Sequence, residues 1–196
     1  MDKKIILLPL LFIFQIVSAQ EVNFSERAYD NGLTYPVAQF TGNADAEKSL
    51  NENILKIIST YEDQDFCIGE YGYVQRTSFI QLNFYFNCID MDESKSESHL
   101  FSLSDGEVCP PSEMFLEGKE KLFRTFFGKK VSAHYIQNGK EAPSSEVMNE
   151  LTIDDCETLL LEEGIQISIA SKEDWPEDDL LIKWSELRPY LKTIFI

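Results

Sequence analysis

Apolar and polar residues alternate most regularly between Cys67 and Cys88, CIGEYGYVQRTSFIQLNFYFNC. Ile80, Leu82, Phe84, Phe86 and Cys88 alternate with Gln81, Asn83, Tyr85 and Asn87, the two-residue repeat of a strand with one buried face. The pattern predicts two long antiparallel strands whose even-numbered return face looks into the core. A turn at Thr77-Ser78 sets Tyr73 opposite Leu82, Tyr71 opposite Phe84, Gly69 opposite Phe86 and Cys67 opposite Cys88. The two thiols then meet at a cross-strand Cα separation of about 4.5–5.5 Å, within disulfide range. Neither turn residue is Gly or Asn, so a longer loop with a shifted register is the alternative.

The same periodicities place the other elements. Leu33–Phe40 reads as a strand, and Pro36 puts it at an edge. Asn43 caps a helix over residues 44–60, in which Leu50, Ile54, Ile57 and Tyr61 recur at helical spacing while Glu47, Lys48, Glu52 and Lys56 face out. Asp90–Ser98 reads as a polar loop, His99–Leu103 as a short strand, and Asp105-Gly106 as a tight turn. Lys119–Phe127 forms a helix with Leu122, Phe123 and Phe126 inward and Gly128 as its stop. Thr158–Leu161 and Ile165–Ala170 form a second hairpin around Glu163-Gly164, and Leu180–Trp184 is a last strand. These elements make an α+β fold, an antiparallel sheet of a long central hairpin plus a C-terminal hairpin, packed with two or three α-helices around one core.

The first 19 residues change the cellular picture. Lys3 and Lys4 precede the apolar run IILLPLLFIF, and Val17-Ser18-Ala19 supplies small residues for cleavage, so residues 1–19 read as a secretory signal peptide. Residues 20–196 are then a single exported domain, secreted or periplasmic, with no membrane span after cleavage. The whole chain carries a net charge of −17, with 43% apolar and 12% aromatic residues. That balance suits a folded acidic protein, disfavours nucleic acid and anionic membranes as partners, and favours basic ones. Cys67, Cys88, Cys109 and Cys156 all fall in the exported part, where disulfides persist. Pairing Cys67 with Cys88 from the register leaves Cys109 with Cys156. A zinc site is the rival, but no CxxC pair occurs.

Catalytic chemistry has few carriers. His99 and His134 stand in no pattern with a nucleophile, and there is no glycine-rich phosphate loop, GxSxG or HExxH. Asp154-Asp155 and Asp178-Asp179 read as loop solvation or helix capping. Asp90, Asp92 and Glu93 match calcium-ligand spacing only in part, because the loop glycine and closing glutamate are missing. No cofactor is expected. Tyr71, Tyr73, Tyr85 and Trp175 are the candidate binding surface, an aromatic platform for sugar or protein, with core packing as the competing role.

Three stretches carry a resemblance. Leu33-Thr34-Tyr35-Pro36 with Asn51-Glu52-Asn53-Ile54, Leu103-Ser104-Asp105-Gly106 with Ser112-Glu113-Met114-Phe115, and Glu163-Gly164-Ile165 with Trp184-Ser185-Glu186-Leu187-Arg188-Pro189-Tyr190-Leu191 are similar in order and kind to one bacterial family. It is the extracellular domain shared by lysozyme-sensing anti-sigma factors (RsiV) and the non-catalytic part of a peptidoglycan deacetylase (PdaC). Where that family has a Tyr-x-Ile-x-Pro segment, this chain has Ser171–Asp179. The resemblance implies a non-enzymatic binding module of the bacterial envelope, with lysozyme-like basic proteins or cell-wall glycan as ligands. The alternative is an envelope enzyme acting on peptidoglycan or another polysaccharide, which needs paired carboxylates or a metal.

Overall fold

Among the described residues, eight strands and three α-helices follow one another in the computed structural model. It describes residues 21–192 apart from 62, 65, 90–93, 143, 145–147, 149–150 and 169–178. Strand β1 (Val22–Ala28) pairs antiparallel with β2 (Thr34–Phe40), and helix α1 (Ala44–Ser59) follows. Strands β3 (Cys67–Gln75), β4 (Phe79–Cys88) and β5 (Lys95–Ser102) form a second antiparallel sheet. Helix α2 (Glu120–Gln137) leads to a third, of β6 (Glu157–Leu160), β7 (Gly164–Ser168) and β8 (Asp179–Lys183), and α3 (Trp184–Leu187) closes the series. The fold is therefore α+β as the alternation predicts, but the two hairpins lie in separate sheets. Among the described residues, no helix is long and apolar enough to cross a membrane. The proposed signal peptide lies outside the described residues.

The register of the long hairpin is the one its alternation predicts, with Tyr71 opposite Phe84 and Cys67 opposite Cys88. Cys67 and Cys88 are joined in a disulfide with Cα atoms 4.1 Å apart. Ile80, Leu82, Phe84 and Phe86 are all buried. At about 1.5–3 kcal/mol each, their burial gives this face the main hold on α1 and β2. Asn43 caps α1 by accepting from the Ala46 amide at 3.1 Å. Two turns on, Asn51 clamps the free edge of β2, accepting from the Ala38 amide at 2.8 Å and donating to its carbonyl at 2.9 Å. That edge is where Pro36 sits without breaking a ladder.

The buried apolar side chains fall into two clusters instead of the single core expected. One joins β1, β2 and α1 to the even face of β4, and the other gathers α2, α3 and the third sheet. The long hairpin belongs to both. Near its turn the odd face of β4, expected to be wet, buries Phe79 and Gln81 against the second cluster. Gln81 donates from Nε2 to the Thr158 carbonyl at 2.6 Å, and its Oε1 accepts from the Leu160 amide. A polar residue thus satisfies two backbone groups of β6 that would otherwise be stranded.

Three local expectations are corrected. Residues 22–28, outside every element that the spacing predicts, form β1; most of this strand is exposed, so no alternation marks it. Strand β5 begins at Lys95, inside the stretch read as loop, because its pairing with β4 is a long-range choice that its polar residues do not announce. Helix α2 runs through Gly128 to Gln137, burying Phe123, Phe127, Val131 and Tyr135 at four-residue spacing. Leu122, expected inside, is 55% exposed. Gly128 stays helical and faces Met148, whose Cε lies 3.6 Å from where a Cβ would sit.

Candidate functional site

An open groove runs between the first and second sheets, and a glycine makes it possible. A Cβ on Gly69 would meet Leu33 Cδ1 at 2.5 Å and the Thr34 carbonyl oxygen at 2.8 Å. Only a bare Cα lets β2 come this close to β3. Thr34 Oγ1 then donates to the Gly69 carbonyl at 2.7 Å. This contact carries β1 alongside the Tyr71–Tyr73 stretch, so that Glu26, Thr34, Glu70, Tyr71 and Tyr73 line one groove.

Phe24 of β1 supports the two tyrosines from behind, with ring centroids 4.8 Å from Tyr73 and 6.2 Å from Tyr71. Tyr73 remains 49% exposed. Burial and then the Glu26 carboxylate raise the Tyr71 phenol above its ordinary pKa, so it stays a neutral hydrogen-bond donor. Among the described residues, no lysine or arginine lines the groove. Glu70 lies opposite Tyr85 and points to the other face of the sheet, so the groove offers two aromatic rings with the Glu26 carboxylate beside them, which suits the stem and charge of a lysine or arginine, or the apolar face and hydroxyls of a sugar.

The structure divides the predicted platform. Tyr71 and Tyr73 share the groove. Tyr85 pairs with Glu70 and lies on the other face of the sheet from Tyr71, 44% exposed. Strand alternation makes this unavoidable, since Tyr85 is odd-numbered on a strand whose even face is inward. Trp175 lies outside the described residues, as do Asp90, Asp92 and Glu93. Glu26 and Glu70 were not singled out by sequence, because the strand that brings Glu26 to the groove shows no clear alternation.

A second crevice collects the remaining chemistry-bearing groups, with Gln81, His99, Cys109, Asp154 and Cys156 among its lining. The expected Cys109–Cys156 disulfide is not formed; both are buried free thiols. Assigning the pair by elimination carried no distance, and the Cys156 thiol instead faces the Thr152 carbonyl at 3.5 Å. Burial, followed by nearby carboxylates, pushes both thiols up to about 12. Protonated thiols are poor nucleophiles and poor metal ligands. His99 Nε2 lies 3.1 Å from Glu97 Oε2. Among the described residues, no group of three His, Cys, Asp or Glu side chains could hold a metal ion.

Glu97 sits at the edge of the first cluster. Its Oε1 accepts from the Tyr61 hydroxyl at 2.6 Å and lies 2.7 Å from Lys95 Nζ. Burial alone would raise its pKa, but the hydrogen bonds from Lys95, Tyr61 and His99 outweigh it and hold the carboxyl down at about 2. All its partners belong to this chain, so the cluster is a structural tie between β5 and the turn that follows α1.

No family model matches the chain, and no curated protein matches it in sequence. Among solved structures, the chain is similar to a DUF3298 family protein from Pseudomonas aeruginosa PAO1. The identity is 9%, with 89% of this chain and 94% of that one covered and a TM-score of 0.48. It is also similar to a DUF3298 family member from Bacteroides fragilis, at 9% identity, with 91% and 96% covered and a TM-score of 0.45. Both relatives carry a domain of unknown function, and likeness at this level carries no argument about the site.

Proposed function

We propose that this chain is an exported, non-enzymatic binding module of the bacterial envelope. It takes a cationic protein of the lysozyme kind, or cell-wall glycan, in the groove between β1 and β3. The observation that carries this reading is the pairing of Tyr71 and Tyr73 with the Glu26 carboxylate in a groove to which no described residue brings a cation. Further support comes from the apolar leader, from the net charge of −17 and from the resemblance read in the sequence. A cation docked here gains from the tyrosine faces and from the Glu26 carboxylate at once, and the field of the whole chain speeds its approach.

Isothermal titration of the mature protein with lysozyme and with soluble peptidoglycan fragments, at low and raised salt, tests the proposal. Lysozyme binding that weakens with salt, and falls about tenfold in Glu26→Gln or Tyr73→Ala, is the expected result for a protein ligand. Salt-insensitive binding of fragments that is lost in Tyr73→Ala identifies glycan. Indifference to both ligands at low salt overturns the proposal.

A further inference from the structure

Cations gather on α2 although the chain as a whole has a net charge of −17. Lys130 is engaged by Glu186. Lys121, Arg124 and Lys129 are exposed, and their side chains make no hydrogen bond or ion pair among the described residues. All three line a groove along the helix, which also takes in Ile136, 65% exposed. Arg124 stands at a junction: it lines this groove and also borders a pocket of about 140 Å3 walled by Phe115, Phe123, Phe127, Leu151 and Ile153. Two carboxylates line the pocket, Glu120 lining the groove as well, and both already serve backbone donors. Glu120 accepts from the Gly118 amide at 2.9 Å and Asp154 from the Ser112 amide at 2.8 Å.

Size and charge together select the occupant. A protein cavity of about 150 Å3 holds a benzene ring, so this pocket suits one phenylalanine or leucine side chain and is too small for a lipid acyl chain. A polyphosphate could meet the three cations but has no apolar group for the pocket. The chain's overall negative charge does not forbid an acidic ligand here, because the Debye length at physiological salt is about 8 Å and the nearest charges dominate.

We propose that the outer face of α2, with this pocket, is a docking site for an acidic segment of a partner protein. One apolar side chain of that segment fills the pocket, and its carboxylates meet Lys121, Arg124 and Lys129. This site is separate from the groove between β1 and β3 and does not depend on its ligand.

Fluorescence anisotropy with a labelled acidic peptide, Glu-Glu-Asp-Phe-Glu-Glu, measures the docking directly. The peptide is expected to bind saturably and more weakly as salt rises. Replacing its phenylalanine by serine is expected to cost about tenfold or more in affinity, as for a buried interface anchor. Lys121→Gln/Arg124→Gln/Lys129→Gln, all surface changes, is expected to weaken binding about tenfold with an unchanged circular dichroism spectrum. Absence of binding, equal binding of the serine peptide, undiminished binding by the triple variant, or displacement by polyphosphate as potent as by the peptide overturns the proposal. So does a concentration-dependent dimer in sedimentation velocity that the triple variant abolishes, since a second copy would then be the occupant. Lysozyme titration of the triple variant keeps the two proposals distinct, because the β1–β3 groove is unaltered in it.

Discussion

Replacing Gln81 by leucine removes the polar link between β4 and β6 while keeping a side chain of similar size. Gln81 is 2% exposed, and its amide serves the Thr158 carbonyl and the Leu160 amide. Leucine leaves both backbone groups buried without their partner. A stranded buried polar group costs about 1–3 kcal/mol, so two cost on the order of 2–6 kcal/mol. The added apolar burial returns about 1–2 kcal/mol. A net loss of about 2–3 kcal/mol is expected, which for a chain of this length lowers Tm by roughly 5–10 °C. Thermal and urea unfolding followed by circular dichroism measure it. Asn87→Thr is the control, because Asn87 is exposed on the same strand and its change is expected to stay within about 0.5 kcal/mol. A Gln81→Leu protein that melts within about 1 °C of the unaltered one would refute the claim that this side chain ties the two clusters together.

Reduction of the Cys67–Cys88 bond, whose cysteines are 21 residues apart in sequence, is expected to cost on the order of 3 kcal/mol, read as a fall in Tm on adding reductant. Cys109 and Cys156, free and held at about 12, are expected to resist iodoacetamide at neutral pH in the native state and to give two thiols per chain after non-reducing denaturation. Finding none would mean that this pair closes. Glu97 is held at about 2, below its ordinary 4.5, so its contribution is present above the ordinary value and lost as pH falls between them. Discounted for solvent screening, that contribution is about 1 kcal/mol, and Glu97→Gln is expected to flatten the fall in stability between about pH 4.5 and 2. Gly106 has φ +75°, and a Cβ there would lie 2.2 Å from the Ala46 carbonyl oxygen and 2.6 Å from the Leu50 amide nitrogen. Gly106→Ala is therefore expected to lose about 3 kcal/mol or more in urea unfolding, whereas Gly72→Ala, with open space at its Cβ, is expected to be mild.

Short-range periodicity was legible along the chain without any partner segment. Alternation over residues 79–88 gave the long hairpin, its inward face and, through the pairing of Tyr71 with Phe84, the Cys67–Cys88 bond. Helical spacing and Asn43 gave α1. The four-residue recurrence of Phe123, Phe127, Val131 and Tyr135 was also legible, though Gly128 obscured it, since a glycine that ends one helix can pack inside another. Only the tertiary structure decided which surfaces meet. Gln81 reads as a wet position until β6 is laid across it, and an exposed edge strand such as β1 announces itself only through its partner. The candidate site shows the same division. Tyr71 and Tyr73 were visible as aromatics on a half-buried strand, but Glu26 reaches their groove from 45 residues before Tyr71, through the close approach that Gly69 permits. Cross-sheet proximity is set by packing between distant segments, and no local pattern encodes it.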